Sequence, residues 1–241
     1  MSLKEFLENI TLEELEELRK KRVEMEGEIP SFSFSRIKFR DLKNLVNLKR
    51  VREKNIFSSW FESEISLSNK DIEFLENLIE QNLGLLKYYD EEDLKIHFLS
   101  HIFHRVNFKS LEKEYRDFYN ENIRYENEKF ILNGEVDFVV AKGLYESEIP
   151  YFFIQEFKKE KTNSDPEPQL VSELIAGLEI SNVENIRGAF IVGSIWNFVI
   201  LEKVEKDSYR YFVSENFDSS KIEDLKSIYK NLLFVKNEID K

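Results

Sequence analysis

Two apolar segments that carry charged residues constrain this chain more than any other feature of its sequence. The first, GEVDFVV, places Asp137 at the start of an apolar run, and the second, YFFIQEFKK, ends one with Glu156 and Lys158. Successive side chains of a strand alternate between its two faces, so Glu156 and Lys158 are predicted to point the same way as Ile154. If the two strands pair, two carboxylates and one ammonium meet at one end of a sheet.

A cluster of this kind requires a compensating charge. Neighbouring carboxylates repel each other and are costly to remove from water, so we expect a cation beside Asp137 and Glu156. The chain contains no Cys, and hard oxygen ligands favour Mg²⁺ or Mn²⁺ with waters left free for a substrate. An acid two positions before a lysine also occurs at Asp41, Asp93 and Asp224, but in stretches with a helical or polar pattern.

Hydrophobic periodicity and turn signals predict an alternating order of helices and strands in the second part of the chain. A helix over about 91–106 is expected from the N-cap Asp90 and an apolar face, and another runs from Asp165-Pro166 to about 180. Strands are expected at about 115–126, 129–132, 135–142, 150–158, 188–193, 196–203 and 209–214, before a closing helix at about 220–234. The dipeptide Asn133-Gly134 predicts a hairpin between two of these strands.

The first part of the chain reads as an accessory region over residues 1–85, mainly helical, that precedes a domain over 86–241. Thr11 and Glu14 form a capping box for a helix over about 11–25, and a second helix is expected at about 70–81. The alternating stretch SFSFSRIKF between them predicts a strand or an extended arm.

The charge distribution bears on the class of partner. Residues 1–90 carry 15 basic and 18 acidic side chains, and residues 91–241 carry 20 and 29, so the second part has a net charge of −9 out of −12. Residues 36–54 are the exception, with eight basic and two acidic side chains. This segment is either a solvated helix face or a patch that follows nucleic-acid phosphates. On the second interpretation, the substrate-binding candidates are Arg36, Arg40, Lys49 and Arg50.

The sequence offers no signal for a membrane or for export. The N-terminal stretch MSLKEFLENITLEELEEL is charged every few residues, unlike a secretory signal, and no run approaches the roughly 20 apolar residues that span a bilayer. The absence of Cys fits a reducing compartment. We therefore expect a cytoplasmic protein without a membrane partner.

GEVDF followed by YFFIQEFKK resembles the core motif of the PD-(D/E)XK nuclease superfamily, which has an Asp on the second core strand and Glu-x-Lys on the third. The resemblance covers roughly residues 88–203, with Val136 where the pattern has Pro. It implies an α/β protein with a restriction-endonuclease-like αβββαβ core and a mixed central sheet. It also implies a Mg²⁺-dependent (or Mn²⁺-dependent) endonuclease whose expected substrate is DNA. Cleavage of both strands would favour a homodimer.

The resemblance assigns roles to the motif residues. Asp137 and Glu156 would be metal ligands, and the carbonyl of Phe157 a backbone ligand. Lys158 would orient or activate the attacking water, or stabilise charge that develops on the phosphate. Beyond the motif, Lys159 and Lys161 could meet phosphates, although a solvated strand edge is the simpler interpretation.

Two further residues are selected by the same resemblance. DEEDLKIHFL resembles the first core helix of type I restriction-like members, and that register selects Glu91 as a carboxylate of the metal site and Lys95 as the basic residue that follows it by four. A helical wheel independently places Glu91 on the apolar face, whereas the alternative is that it only complements the helix N-terminus. Gln169 matches a family Gln that contacts substrate, but Glu173 stands where the family has Tyr.

Other interpretations remain open at this point. The charge of −9 favours a catalytically silent nuclease-fold module that binds or regulates a protein partner. His97, His101 and His104 share one helix and could suggest zinc, but a polar stripe explains them as well.

Overall fold

The computed structural model describes residues 10–11, 14–18, 21, 27, 29–158 and 165–241; the side chains of residues 54 and 155–158 fall outside the description. In this part of the chain a single mixed sheet is covered by helices on both faces. The strands are β1 Ser31–Ser33, β2 Asn47–Arg50, β3 Lys109–Ser110, β4 Tyr115–Glu126, β5 Ile131–Lys142, β6 Ile149–Lys158, β7 Asn185–Val192, β8 Ile195–Glu205, β9 Ser208–Val213 and β10 Phe217–Asp218. The protein is therefore of the α/β class.

The helices are α1 Phe39–Leu45, α2 Ser58–Phe61, α3 Asn69–Asn82, α4, α5 Pro166–Ser181 and α6 Ile222–Ile239. Helix α4 consists of Glu91–Leu94 and Ser100–Val106, joined without interruption by the π-helical turn Lys95–Leu99. Short 3₁₀ turns lie at Phe34–Arg36 and Lys54–Phe57. Within the described ranges, no helix combines the length and the apolar character that crossing a bilayer requires.

The sheet has the order β2-β9-β8-β7-β6-β5-β4-β3. Strands β4, β5 and β6 form an antiparallel meander, α5 crosses over to β7, which is parallel to β6, and β8 and β9 return antiparallel. The described elements from α4 to β7 thus follow the order helix, three strands, helix and strand, and the strands predicted at 129–132 and 135–142 are the single strand β5. Strand β1 pairs with β5 and strand β2 pairs with β9, both in parallel, so the accessory region also contributes to this sheet.

Each face of the sheet has its own hydrophobic core. Helices α2, α3, α4 and α6 cover one face, and Phe98, Ile102 and Phe103 of α4 are almost completely buried there. Helix α5 covers the other face together with α1 and the 3₁₀ turn Phe34–Arg36. Helix α5 is buried on every side from Pro166 to Leu178, and Asp165 caps its start by accepting a hydrogen bond from the Glu167 amide, as its sequence predicts.

The predicted hairpin at Asn133-Gly134 is wrong, because β5 runs straight through both residues. The turn lies earlier, where the side-chain oxygen of Asn127 accepts hydrogen bonds from the amides of Lys129 and Phe130. Gly134 is needed for another reason. It has φ +144°, and an added Cβ would lie 3.2 Å from the buried Phe34 ring of the accessory region. A long-range contact, rather than a turn, therefore explains the glycine.

The N-terminal helix prediction is confirmed where the structure describes it. Residues 14–18 and 21 are helical. The Thr11 amide donates to the Glu14 carboxylate at 2.9 Å, and the Glu14 amide donates to Thr11 Oγ1 at 3.2 Å. This is the reciprocal capping box. The other residues of the predicted helix, which spans about 11–25, lie outside the described residues.

Candidate metal and nucleic-acid site

Asp137 lies at an irregular point of β5, where the regular alternation of side chains between the two hydrophobic cores is interrupted. Val136 belongs to the core under α5, whereas Phe138, two residues later, belongs to the core under α4. Opposite Asp137 in the β4–β5 ladder stands Asn120, whose left-handed φ of 52° interrupts the regular pairing. The Asp137 side chain is 17 % exposed and is directed toward α4, as its contact with Lys95 demonstrates.

Helix α4 brings Glu91 to the same place through one lysine. Lys95 Nζ lies 3.5 Å from Asp137 Oδ1 and 3.6 Å from Glu91 Oε1. The Lys95 side chain is 22 % exposed and that of Glu91 is 43 % exposed. Two carboxylates from separate elements thus meet around a single cation.

The local sequence explains how α4 holds this position. Asp90 caps the helix by accepting a hydrogen bond from the Asp93 amide at 2.9 Å, and the acidic first turn complements the positive end of the helix. Leu94, on one side of Lys95, and Phe98, one turn further, are buried against the sheet. The π-helical turn begins at Lys95, whose carbonyl accepts from the Ser100 amide. Such turns occur frequently at functional sites.

The backbone of β6, the third strand of the meander, comes close to Asp137 on β5. The β5–β6 ladder ends at the pair Phe138 and Ile154, one residue from Asp137. In the β6–β7 ladder Gln155 pairs with Phe190 and Phe157 with Ile191, so Glu156 occupies a β-bulge. A bulge adds one residue to the strand and changes the local backbone direction, so the common face predicted for Ile154, Glu156 and Lys158 stays a prediction. The side chains of Glu156, Phe157 and Lys158, and the whole of Lys159 and Lys161, lie outside the described residues.

Gln169 is buried in α5. Its side-chain amide donates to Glu173 Oε1 at 3.2 Å, and both residues are at least nine-tenths buried. Gln169 and Glu173, the two positions named in the resemblance to the nuclease family, are therefore hydrogen-bonded to each other. A substrate contact by Gln169 stays a prediction.

Strand β2 places part of the basic segment at one edge of the sheet. Arg36, Arg40, Lys49 and Arg50 are all exposed. Strand β2 is parallel to β9 and ends at Arg50, which the successive ladders align with Tyr211, Leu201 and Ile186, near the start of β7. Five strand steps of about 4.8 Å separate β2 from β5, roughly 24 Å across the sheet, and Arg50 and Asp137 are also offset from each other along the strands.

Arg50 differs from the other basic candidates because it has a buried partner. Its guanidinium lies 3.0 Å from Glu167 Oε1, and Tyr211 donates a hydrogen bond to the same oxygen at 3.0 Å. Burial raises the pKa of Glu167, although Arg50 and Tyr211 act in the opposite direction. Arg50 therefore stabilises the buried carboxylate at the start of α5. The sequence pattern of residues 36–54 gives no sign of this pairing.

A cleft opens beside the candidate site. It has a volume of about 450 Å³ and lies between the segment after α3, the start of α4 and the β7–β8 turn. Its walls include Tyr89 and Leu94, and on the opposite side Val192, which pairs with Lys158 in the β6–β7 ladder. Leu94, which precedes Lys95 in α4, is the lining residue that connects the cleft with the candidate site.

The donor chemistry of Asp137 and Glu91 fits a hard divalent cation, since both are carboxylates gathered around a positive charge. Among the side chains that the structure describes, no group of three His, Asp or Glu residues forms a complete metal site. The third predicted ligand, Glu156, is not among those side chains. The exposed His97, His101 and His104 do not form such a group either.

Comparison with protein-family models gives no match for this chain, and comparison with curated proteins gives none either. The functional interpretation therefore depends on the site and the fold.

Proposed function

We propose that this protein is a metal-dependent nuclease that hydrolyses phosphodiester bonds, with DNA as the expected substrate and Mg²⁺ or Mn²⁺ as the cofactor. The observation that carries the proposal is the convergence of Asp137 and Glu91 on one cation within 3.6 Å. The element order of α4, β4, β5, β6, α5 and β7 supports a restriction-endonuclease-like core. The β-bulge at Glu156 in β6 lies beside the end of the β5–β6 ladder, and it makes the β6 backbone irregular close to Asp137.

The residues that would hold the ion are Asp137 and Glu91, with Glu156 and the Phe157 carbonyl as the further ligands expected from the motif. A bound Mg²⁺ supplies a water of lowered pKa and neutralises charge on the phosphate, effects worth several kcal/mol. Lys158 is expected to orient the attacking water. The cleft lined by Leu94, the neighbour of Lys95, is the candidate place for a substrate strand.

The test is cleavage of supercoiled plasmid and of single-stranded DNA with Mg²⁺ or Mn²⁺. We expect Asp137→Asn and Lys158→Met each to lower the rate by at least about 100-fold, because each removes a group that acts on the reacting phosphate. Glu128→Gln is the matched control, since Glu128 is exposed in the β4–β5 turn, far along β5 from Asp137. Metal-dependent cleavage that survives both active-site changes would refute the proposal.

The second candidate is a module of the same fold that binds a protein and is catalytically silent. The net charge of −9 over residues 91–241 favours it, because a phosphate substrate must approach a repulsive surface. The salt dependence of DNA affinity distinguishes the two functions. A steep dependence that flattens in an Arg40→Gln/Lys49→Gln variant supports the nuclease, and no measurable DNA binding at low salt supports the module. Arg50 is left intact because its loss would also leave Glu167 buried without its cation.

A further inference from the structure

Helix α4 places a positive charge between the two carboxylates that are assigned above to the ion. The Lys95 ammonium contacts Asp137 on the strand and Glu91 on its own helix, at 3.5 and 3.6 Å. The Lys95 side chain is largely shielded from water, so its charge is screened less than that of a surface lysine. It therefore supplies part of the neutralisation that a divalent cation would supply.

The contacts of Lys95 with Glu91 and Asp137 are longer than strong hydrogen bonds. Both distances exceed the roughly 2.7–2.9 Å of a strong charge-assisted hydrogen bond. The lysine stem has four flexible carbons, whereas the backbone beneath it is fixed by the buried Leu94 and Phe98. The ammonium can thus move while the helix stays in place.

A divalent ion and the Lys95 ammonium compete for the same oxygens. A bound Mg²⁺ lies about 2.1 Å from each ligand oxygen. An ammonium 3.5 Å from Asp137 Oδ1 would then lie within a few ångströms of a double positive charge, in partly buried surroundings. The repulsion between the two cations opposes their simultaneous presence at these positions.

We propose that Lys95 is the resident counter-ion of the candidate metal site: its ammonium neutralises Asp137 and Glu91 in the metal-free protein and is displaced when the divalent ion binds. The inference rests on the proposed function, because it names a residue that sets the metal affinity of that same site. Lys95 acts through the two carboxylates and is a positioning residue.

The experiment titrates the full-length chain with Mn²⁺ alone and measures free Mn²⁺ by its electron paramagnetic resonance signal. We expect Lys95→Met to bind Mn²⁺ at least about tenfold more tightly than the wild type, because the competing charge is gone while the length of the side chain is kept. Lys109→Met is the matched control, since Lys109 is an exposed lysine on β3. Its affinity should stay within about twofold of the wild type, because exposed charges at a distance are screened. A purely structural role of Lys95 would not raise the affinity.

Thermal unfolding provides a second readout. Without metal, Lys95→Met should melt below the wild type, because two carboxylates have lost their shared cation. With the same Mn²⁺ concentration its melting temperature should rise by more than that of the wild type, as tighter binding to the folded state requires. If Lys95→Met does not fold, Lys95→Gln removes the same charge with a polar side chain.

The outcomes separate this inference from the proposed function. Equal or weaker Mn²⁺ affinity in the Lys95 variants, with wild-type binding that is lost in Asp137→Asn, would overturn the counter-ion role and leave the nuclease proposal standing. Absence of Mn²⁺ binding in the wild type and in every variant would overturn both.

Discussion

Helix α4 joins its neighbours through two ionic clusters that differ in construction. Near its C-terminal end, Arg105 donates hydrogen bonds from Nε and Nη2 to Asp71 Oδ1 of α3, at 2.9 and 2.7 Å. Ser68 Oγ donates to the other oxygen of Asp71 at 2.6 Å, and Tyr229 of α6 approaches the same carboxylate. At the opposite end of α4, the contacts of Lys95 with Glu91 and Asp137 are 3.5–3.6 Å long.

The two clusters differ in how firmly each one holds its cation. The planar guanidinium of Arg105 and the hydroxyl of Ser68 match the carboxylate of Asp71 with short, directed bonds, which favours a fixed connection between three helices. Burial raises the pKa of Asp71, but the bonds from Ser68 and Arg105 outweigh it and hold that pKa below its usual value of 3.8. The ammonium of Lys95 gathers two carboxylates with longer contacts, which suits an exchangeable cation. We therefore assign the first cluster to stability and the second to function.

The largest effect that tests this difference between the clusters is on the free energy of unfolding. Arg105→Met should lower the free energy of unfolding by about 1.5–2 kcal/mol, because it removes two bonds to a charged group that is partly exposed. Cleavage per folded molecule should not change. Chemical denaturation followed by circular dichroism measures the first quantity, and a loss below about 0.5 kcal/mol would contradict the structural role of this cluster.

The next effect is a dependence on pH. Since the pKa of Asp71 is lower in the folded chain than its usual 3.8, ionisation of Asp71 stabilises the fold above that pH. The stability difference between the wild type and Asp71→Asn should therefore be complete at pH 7 and should disappear as the pH falls below about 3.8 through the folded pKa. Unfolding curves of both proteins between pH 2.5 and pH 7, values chosen to bracket that range, provide the measurement. A difference that grows on acidification would show that the sign is wrong.

The smallest effect concerns the pair of Glu91 and Lys95. A double-mutant cycle with Glu91→Gln and Lys95→Met in the absence of metal should give a coupling of about 0.5 kcal/mol or less, as expected for a partly exposed i,i+4 pair. The same cycle for Asp71 and Arg105 should give a clearly larger value. Similar couplings for the two pairs would remove the distinction between the clusters.

Much of the fold could be predicted because its signals are local. The bounds of α3, α4 and α5 follow from caps and apolar periodicity, and the predicted spans 70–81, 91–106 and 165–180 agree with them to within one or two residues. The hairpin prediction failed because Gly134 serves a contact with Phe34, about a hundred residues away in the chain. The pairing of β1 and β2 with distant strands is equally invisible to local patterns.

The candidate site could be predicted in part. Asp137 interrupts an apolar strand, and Glu91 falls on the apolar face of its helix, so the sequence indicates that both face the protein interior. The spacing of four between Glu91 and Lys95 is a visible signal for their pairing. The bulge at Glu156 and the bond between Arg50 and Glu167 depend on the register of whole strands, which no short pattern encodes.

The most direct measurement is a crystal structure of the protein with Mn²⁺, in which the anomalous signal locates the ion. We expect a peak bonded to a carboxylate oxygen of Asp137 and coordinated by Glu156, with Glu91 on the same side and the Lys95 ammonium moved away from Asp137. An ion bound elsewhere, or no ion at saturating Mn²⁺ with Lys95 still in contact with Asp137, would contradict it.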